Sequence, residues 1–241
     1  MLKTGSGILM SIIMNKPQQL TFPWHKSNKS SFDEFYVVSS NSQLLSALQD
    51  QSSNEDFFIS GSQDSGKTYL LQALCNFYNE MGKSSLLIPT NQLIKYGNDI
   101  LDAVENLDLI CIDGLENIIS NELWERAIFN LINRSLVSNS RLIFTSSQDL
   151  KQMKFILPDL ESRLRKLESY ELHPIKDEEL FDALKYISKL RLINLGDKEA
   201  NYLIKYSNRS ISNLVKILES LDKLSMEMKR KITIPLIKEV I

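Results

Sequence analysis

The eight residues GSQDSGKT, at positions 61–68, constrain this chain more than any other stretch. They fit G-x-x-x-x-G-K-[ST] and lie between an apolar run, FFIS at 57–60, and a segment of helical periodicity over 67–81. A strand, a glycine-rich turn and a helix in that order make a phosphate-binding loop. Backbone N–H groups across Gly61, Ser62, Gln63, Asp64, Ser65 and Gly66, together with the helix N-terminus, present donors to an anion. Lys67 is placed to neutralise the terminal phosphates and the Thr68 hydroxyl to bind Mg2+. The expected ligand is therefore a nucleotide with Mg2+. Asp64 is the odd member, a negative charge in a loop built for anions, although aspartate tolerates a left-handed backbone better than most residues.

The rest of the chain supplies the alternation such a loop requires. SSLLIP (84–89) reads as a strand, a helical region follows, and a further strand leads to a helix over about 121–137 and the strand RLIFTSS (141–147). That order predicts an α/β fold with a parallel, helix-covered sheet. In NLDLICIDGLE (106–116), Leu107, Leu109, Ile110, Cys111 and Ile112 read as a buried parallel strand ending on Asp113, at the edge where α/β folds place ligands. Asp113 is suited to hold Mg2+ or its water. Gly114 stands where hydrolysis would want a second carboxylate, and Glu116 sits in the following turn, so only weak intrinsic ATPase is expected.

After YELHPI (170–175) no strand-like run remains. Leu180, Leu184, Ile187 and Leu190 form one helical stripe, and Leu214, Ile217, Leu218 and Leu221 another. The predicted organisation is a flexible N-terminal segment (1–31), an α/β nucleotide-binding domain (32–175) and a small all-helical domain (176–241). The polar tract HKSNKSS (25–31) reads as a linker. ILMSIIM (8–14) is too short to span a bilayer, and residues 1–13 are expected to be an unstructured extension or an artefact of start choice.

Composition narrows the function classes. Across 241 residues, 28 Lys and Arg face 30 Asp and Glu, and a formal charge of -2 argues against a general polyanion binder. From residue 176 onward 13 basic and 10 acidic side chains occur, which fits a solvated helical surface better than a nucleic-acid site, with a weak DNA contact left open. Cys75 and Cys111 lie in apolar patterns and His25 and His173 stand apart from them. Neither a zinc site nor a disulfide framework is expected, and the location should be cytoplasmic.

Two further stretches carry chemistry. LPDLESRLRKLESYEL (157–172) places Arg163 and Arg165 on a short amphipathic helix before the final strand. An arginine reaching a neighbouring molecule's γ-phosphate accelerates phosphoryl transfer, but taken alone a solvated helical arginine is the simpler reading. QQLTFPW (18–24) sets two aromatics and a leucine where no core is at hand. It either folds back onto the α/β domain or docks into a partner's groove.

Taken together, GSQDSGKT, LICIDGLE, ELWERAIFNLINR (122–134), LPDLESRL (157–164) and KITIPLIKEVI (231–241) resemble the AAA+ proteins of the DnaA type. Within that family the chain is similar, from residue 18 on, to the short regulatory members without the DNA-binding helix-turn-helix domain, so duplex-origin recognition is not expected. The resemblance implies an AAA+ P-loop NTPase domain followed by a small all-helical lid. It implies that Gln19, Leu20, Phe22, Pro23 and Trp24 form a sliding-clamp-binding peptide, with Phe22 and Trp24 larger than the usual leucines. It also implies that Arg163 is a finger acting in trans on ATP bound to DnaA. The implied role is regulation of chromosome replication initiation, in which the chain binds the DNA polymerase III β sliding clamp on DNA and promotes hydrolysis of DnaA-bound ATP. No membrane partner is expected, and homo-oligomerisation is open.

Two departures from the family pattern stand out. Gly114 replaces an acid, and Ser212 takes the place of the lid's sensor arginine, with Arg209 nearby as a substitute. With Asp64, they suggest a site that binds nucleotide, plausibly ADP, without turning it over well. The alternatives are an AAA+ adaptor or helicase-loader-like protein that binds single-stranded DNA or a helicase, and an autonomous ATPase.

Overall fold

The computed structural model describes residues 30–94, 97–102 and 104–241. The expected clamp peptide (18–24) and the extension at 1–13 lie outside the described residues. Five strands, β1 (Phe57–Ser60), β2 (Ser85–Pro89), β3 (Leu109–Asp113), β4 (Arg141–Ser146) and β5 (Glu168–Glu171), form one sheet in the order β2-β3-β4-β1-β5. Every pairing is parallel. The α/β expectation is met.

Alternation along the strands assigns the two faces. Phe58, Ile110, Ile112, Leu142 and Phe144 point to one side, where Trp124, Ile128 and Leu131 of α4 (Glu122–Ser138) and Leu160 and Leu164 of α5 (Pro158–Leu164) cover them. Phe57, Ile59, Leu109, Cys111 and Ile143 point to the other, beneath α1 (Ser42–Gln49) and α2 (Lys67–Glu80). Among the described residues, the link from β2 to β3 holds one turn of helix, α3 (Thr90–Leu93), and two 3-10 turns. Cys75 and Cys111 are both buried, their sulfurs 3.9 Å apart.

Two polar side chains inside this core organise it. Arg141, fully buried at the start of β4, donates to the carbonyls of Ala47, Leu48 and Glu55 and to the Tyr78 hydroxyl, and lies over the Phe57 ring. It joins the end of α1 to the start of β1. Glu125 of α4, also fully buried, accepts hydrogen bonds from the backbone N–H groups of Ser120, Ile156 and Leu157. Leu157 is the residue before α5, so this carboxylate fixes where the arginine-bearing helix begins.

The C-terminal helices α6 (Leu180–Leu190), α7 (Asp197–Tyr206), α8 (Ile211–Met228) and α9 (Ile234–Lys238) enclose a core of their own, with Leu184, Ala200, Leu203, Leu214, Leu218 and Ile237 all fully buried. Ser210 caps α8 by accepting from the Asn213 N–H.

One detail of the linker reading changes. Ser30 is buried, with its hydroxyl donating to Gln72 and its carbonyl accepting from Asn76, and the Tyr69 hydroxyl lies within hydrogen-bond distance of Ser31. These polar groups of α2 hold the end of the tract against the body of the fold, a pairing that a solvated-linker composition conceals.

Candidate functional site

The loop after β1 is shaped by the backbone at four positions. The Gly61 N–H donates to the Ser146 carbonyl at the end of β4, and a Cβ at Gly61 would lie 2.7 Å from the Leu172 carbonyl oxygen. Asp64 adopts φ +62°, the left-handed conformation that aspartate tolerates. The Ser65 N–H closes a turn onto the Ser62 carbonyl. Gly66, at φ +99°, precedes α2, where a Cβ would come 3.1 Å from the Phe35 ring. The loop therefore wraps the N-terminus of α2 and aims it into a cavity of about 660 Å3, within the range of small-molecule sites.

Lys67, Asp113 and Glu116 line the cavity around the loop. Lys67 donates to the carbonyls of Gly61 and Ser62 at 2.7 and 2.8 Å. Burial lowers the pKa of its ammonium from the ordinary lysine value, opposed by the charges of Glu116, Asp113 and Asp64. The Thr68 hydroxyl donates to Asp113 Oδ2 at 2.6 Å and the Thr145 hydroxyl to Oδ1 at 2.7 Å. Thr68 and Asp113, 45 positions apart, thus present adjoining hard oxygen ligands, the donor set that suits Mg2+. Among the described residues, no group of three or more His, Cys, Asp or Glu side chains could hold a metal by itself.

The opposite wall is largely apolar. Phe35 and Tyr36 come from the chain before α1, Ile175 from the chain after β5, Ile187 from α6, and Ile211 and Val215 from α8. A flat heteroaromatic ring fits such a wall, with charged groups meeting Lys67 and the loop. The helical unit is consequently one side of the cavity.

Several residues fall elsewhere than sequence suggested. Ser212 lines the cavity, whereas Arg209 pairs with Asp177 at 2.9 Å on an exposed surface and is not among the lining residues. The lid arginine at the cavity is Arg191, immediately after α6. It is mostly buried and ion-paired with Glu34, before α1, at 2.8 Å and with Glu219 of α8. Sequence reading missed it, because its partners lie 157 and 28 positions away.

Glu116 also lines the cavity. Its Oε1 accepts from the Ser147 N–H at 3.1 Å and hydroxyl at 2.6 Å. Burial pushes its carboxyl up, but these hydrogen bonds and that of its own backbone N–H outweigh burial and hold it below the usual glutamate value. Arg163 and Arg165 are both exposed on or just after α5, and neither lines the cavity. Arg165 is bound by Glu161 through Nε and Nη2, at 2.9 and 2.7 Å. The Arg163 guanidinium has no hydrogen-bond or ion-pair partner among the described residues.

A five-stranded parallel sheet in this order, a phosphate loop at its edge and a helical unit over the cavity define an AAA+ P-loop fold with a C-terminal lid. Residues 177–241 match the family model described as Hda, lid domain. The fold is similar to domain III of the replication initiation protein DnaA from Thermotoga maritima, with a TM-score of 0.70, 19% identity, 88% of this chain covered and 97% of that chain. AMPPCP-bound DnaA from Aquifex aeolicus matches with a TM-score of 0.64, 20% identity, 82% of this chain and 65% of that one. The RuvB Holliday junction branch migration motor of Thermotoga maritima matches with a TM-score of 0.62 and 15% identity, over 88% and 71% of the two chains. These likenesses carry the fold. The resemblance to the fold of the DnaA-type AAA+ proteins is borne out, and the C-terminal helical unit is the part that matches the Hda lid model.

Proposed function

We propose that this chain is a nucleotide-bound regulator of replication initiation that docks on the DNA-loaded sliding clamp and completes an ATPase site on DnaA. The Hda-type lid on a DnaA-like fold supports this reading. The observation that carries it is Arg163, an exposed guanidinium with no partner among the described residues, on a helix whose start is fixed by the buried carboxylate of Glu125. Arg165, two positions on, has its charge satisfied by Glu161. A guanidinium free to fork onto γ-phosphate oxygens neutralises the charge that spreads over them as the terminal bond breaks, an effect worth about 10³–10⁵ in rate where it has been measured.

The chain's own cavity takes ADP or ATP in this reading, as the AMPPCP-bound DnaA relative takes its ligand. The loop donors and Lys67 hold the phosphates, the apolar wall of Phe35, Tyr36, Ile187 and Val215 receives the base, and Thr68 and Asp113 would hold Mg2+. Bound Mg2+ supplies charge neutralisation between phosphate oxygens. Because the lid forms one wall, bound nucleotide fixes the lid to the α/β body.

The segment Gln19, Leu20, Phe22, Pro23 and Trp24 acts as the tether. Its apolar side chains enter the clamp's groove, and tethering through the residues that follow then raises the local concentration near DnaA to about millimolar. The test is conversion of labelled ATP on DnaA to ADP in the presence of clamp assembled on DNA. Alanine at Gln19, Leu20 and Phe22 together should abolish the acceleration by a chain that is still folded and nucleotide-bound. Full acceleration by that variant would remove the tether from the account and favour the adaptor or helicase-loader-like reading.

A further inference from the structure

Residues 30–36 form a strap between the helix that follows the phosphate loop and the lid. On the α2 side, Ser30 is held by Gln72 and Asn76, and the Phe32 and Phe77 rings meet edge to face at 5.7 Å. Tyr69, the residue after Thr68, adds the central hold. Its hydroxyl accepts from the Ser31 N–H at 3.3 Å and lies 3.3 Å from Glu34 Oε2, while its ring packs 6.0 Å from that of Phe35. Burial pushes this phenol up to about 12, so it stays a donor to the Glu34 carboxylate.

The lid grips the same residues from the other side. The Tyr186 hydroxyl of α6 donates to the Asp33 carbonyl at 2.8 Å, and the Tyr186 and Tyr36 rings meet edge to face at 5.8 Å. Arg191 forks onto Glu34 Oε2 through Nε and Nη2, at 3.2 and 2.8 Å, and its Nη1 binds Glu219 of α8. Glu34 is therefore shared, reached by Tyr69 from α2 and by Arg191 from the lid. Between these anchors Glu34, Phe35 and Tyr36 line the cavity.

The strap thus stands between two binding sites. One is the cavity, where a nucleotide packs on Phe35 and Tyr36 only while the strap is seated. The other is the peptide at 18–24, since six residues separate Trp24 from Ser30, a span of at most about 20 Å. A partner on that peptide loses less chain freedom on docking when the root of the tether is already fixed. Both ligands favour the same seated strap, and each lowers the ordering cost left for the other.

We propose that nucleotide in the cavity and the clamp on residues 18–24 bind this chain cooperatively, with residues 30–36 as the shared element. The inference rests on the nucleotide-site and tether readings above. The coupling free energy is common to both ligands, so nucleotide must raise clamp affinity by the factor by which the clamp raises nucleotide affinity, about fivefold or more.

The experiment measures both directions on the full chain. Affinity for labelled clamp is read by fluorescence anisotropy with and without saturating ADP and Mg2+, and affinity for fluorescent ADP with and without saturating clamp. A synthetic peptide of residues 16–29 supplies a clamp ligand that lacks the strap. The proposal expects an equal gain of about fivefold or more in both directions for the chain, and no effect of ADP on the peptide. In Tyr69→Phe/Tyr186→Phe, which keeps both rings and removes both hydroxyls, the gain should fall to about twofold or less, and hydrogen exchange over 30–36 with ADP bound should be faster than in wild type. Tyr186→Phe alone should show part of that fall and carries the test if the double variant melts early. An undiminished gain in these variants, or no gain in a wild type that binds both ligands, would overturn the proposal and leave both readings standing. Wild type that binds clamp but no nucleotide would overturn the nucleotide-site reading and the proposal with it; wild type that binds nucleotide but no clamp would do the same to the tether reading.

Discussion

Truncating Glu125 to alanine tests how the helix bearing Arg163 is held. The carboxylate is fully buried and accepts from three backbone N–H groups, those of Ser120 at 2.8 Å, Ile156 at 2.9 and 3.1 Å, and Leu157 at 2.7 Å. Alanine leaves all three donors without an acceptor, at about 1–3 kcal/mol for each buried group, while the cost of burying the carboxylate is recovered. The balance is a destabilisation of about 3–5 kcal/mol, comparable to breaking a buried ion pair. For a chain of this size each kcal/mol lowers the melting temperature by about 2–4 °C, so Glu125→Ala should melt roughly 10 °C below wild type. Glutamine keeps one acceptor oxygen and should lose about half as much. Thermal unfolding followed by circular dichroism reads both. A loss below about 2 °C for alanine would refute the claim that this carboxylate fixes the start of α5.

Other parts of the account make separate predictions. Asp56 is raised to about 6, chiefly by burial, with the Leu142 N–H and the Arg141 charge opposing. A carboxyl raised on folding favours the native state at low pH; its contribution is complete below about pH 4 and is lost as pH rises through about 6. Asp56→Asn keeps the acceptor for Leu142, so it should gain on the order of 1–3 kcal/mol over wild type at pH 8 and nothing at pH 4, by urea unfolding. A constant difference across that range would contradict this. Gly114→Asp must take a left-handed backbone and displace Asn117, and should cost about 2 kcal/mol, as thermal melting will show. Arg191→Met leaves Glu34 and Glu219 unpaired between the chain before α1 and the lid, and should speed release of fluorescent ADP by about tenfold. Release at the wild-type rate would show that the clasp does not govern the lid.

What could be read from sequence was whatever a local pattern encodes. The phosphate loop, the strand ending on Asp113 and the lid stripes each follow from spacing within about ten residues, and the meeting of Thr68 with Asp113 follows once Thr68 is placed at the start of the helix after the loop and Asp113 at the end of its strand. Arg141 looked like the first residue of a strand; its burial depends on carbonyls 86 to 94 positions earlier. Arg191 could not be told from any lysine or arginine near a helix end, because both its acids come from other elements. Gly114 was legible as a missing acid but not as a position where a side chain meets Asn117 and Thr90. Glu116 was noticed in the following turn, yet only the 3-10 geometry returns it to the cavity.

The most direct test of the central claim loads DnaA with labelled ATP and follows its conversion to ADP with this protein, with and without clamp assembled on DNA, using wild type, Arg163→Ala and Arg165→Ala. The account predicts acceleration that requires the clamp, is lost by about 10³-fold or more in Arg163→Ala and survives in Arg165→Ala. Equal acceleration by Arg163→Ala, or none by folded, nucleotide-bound wild type, would contradict it.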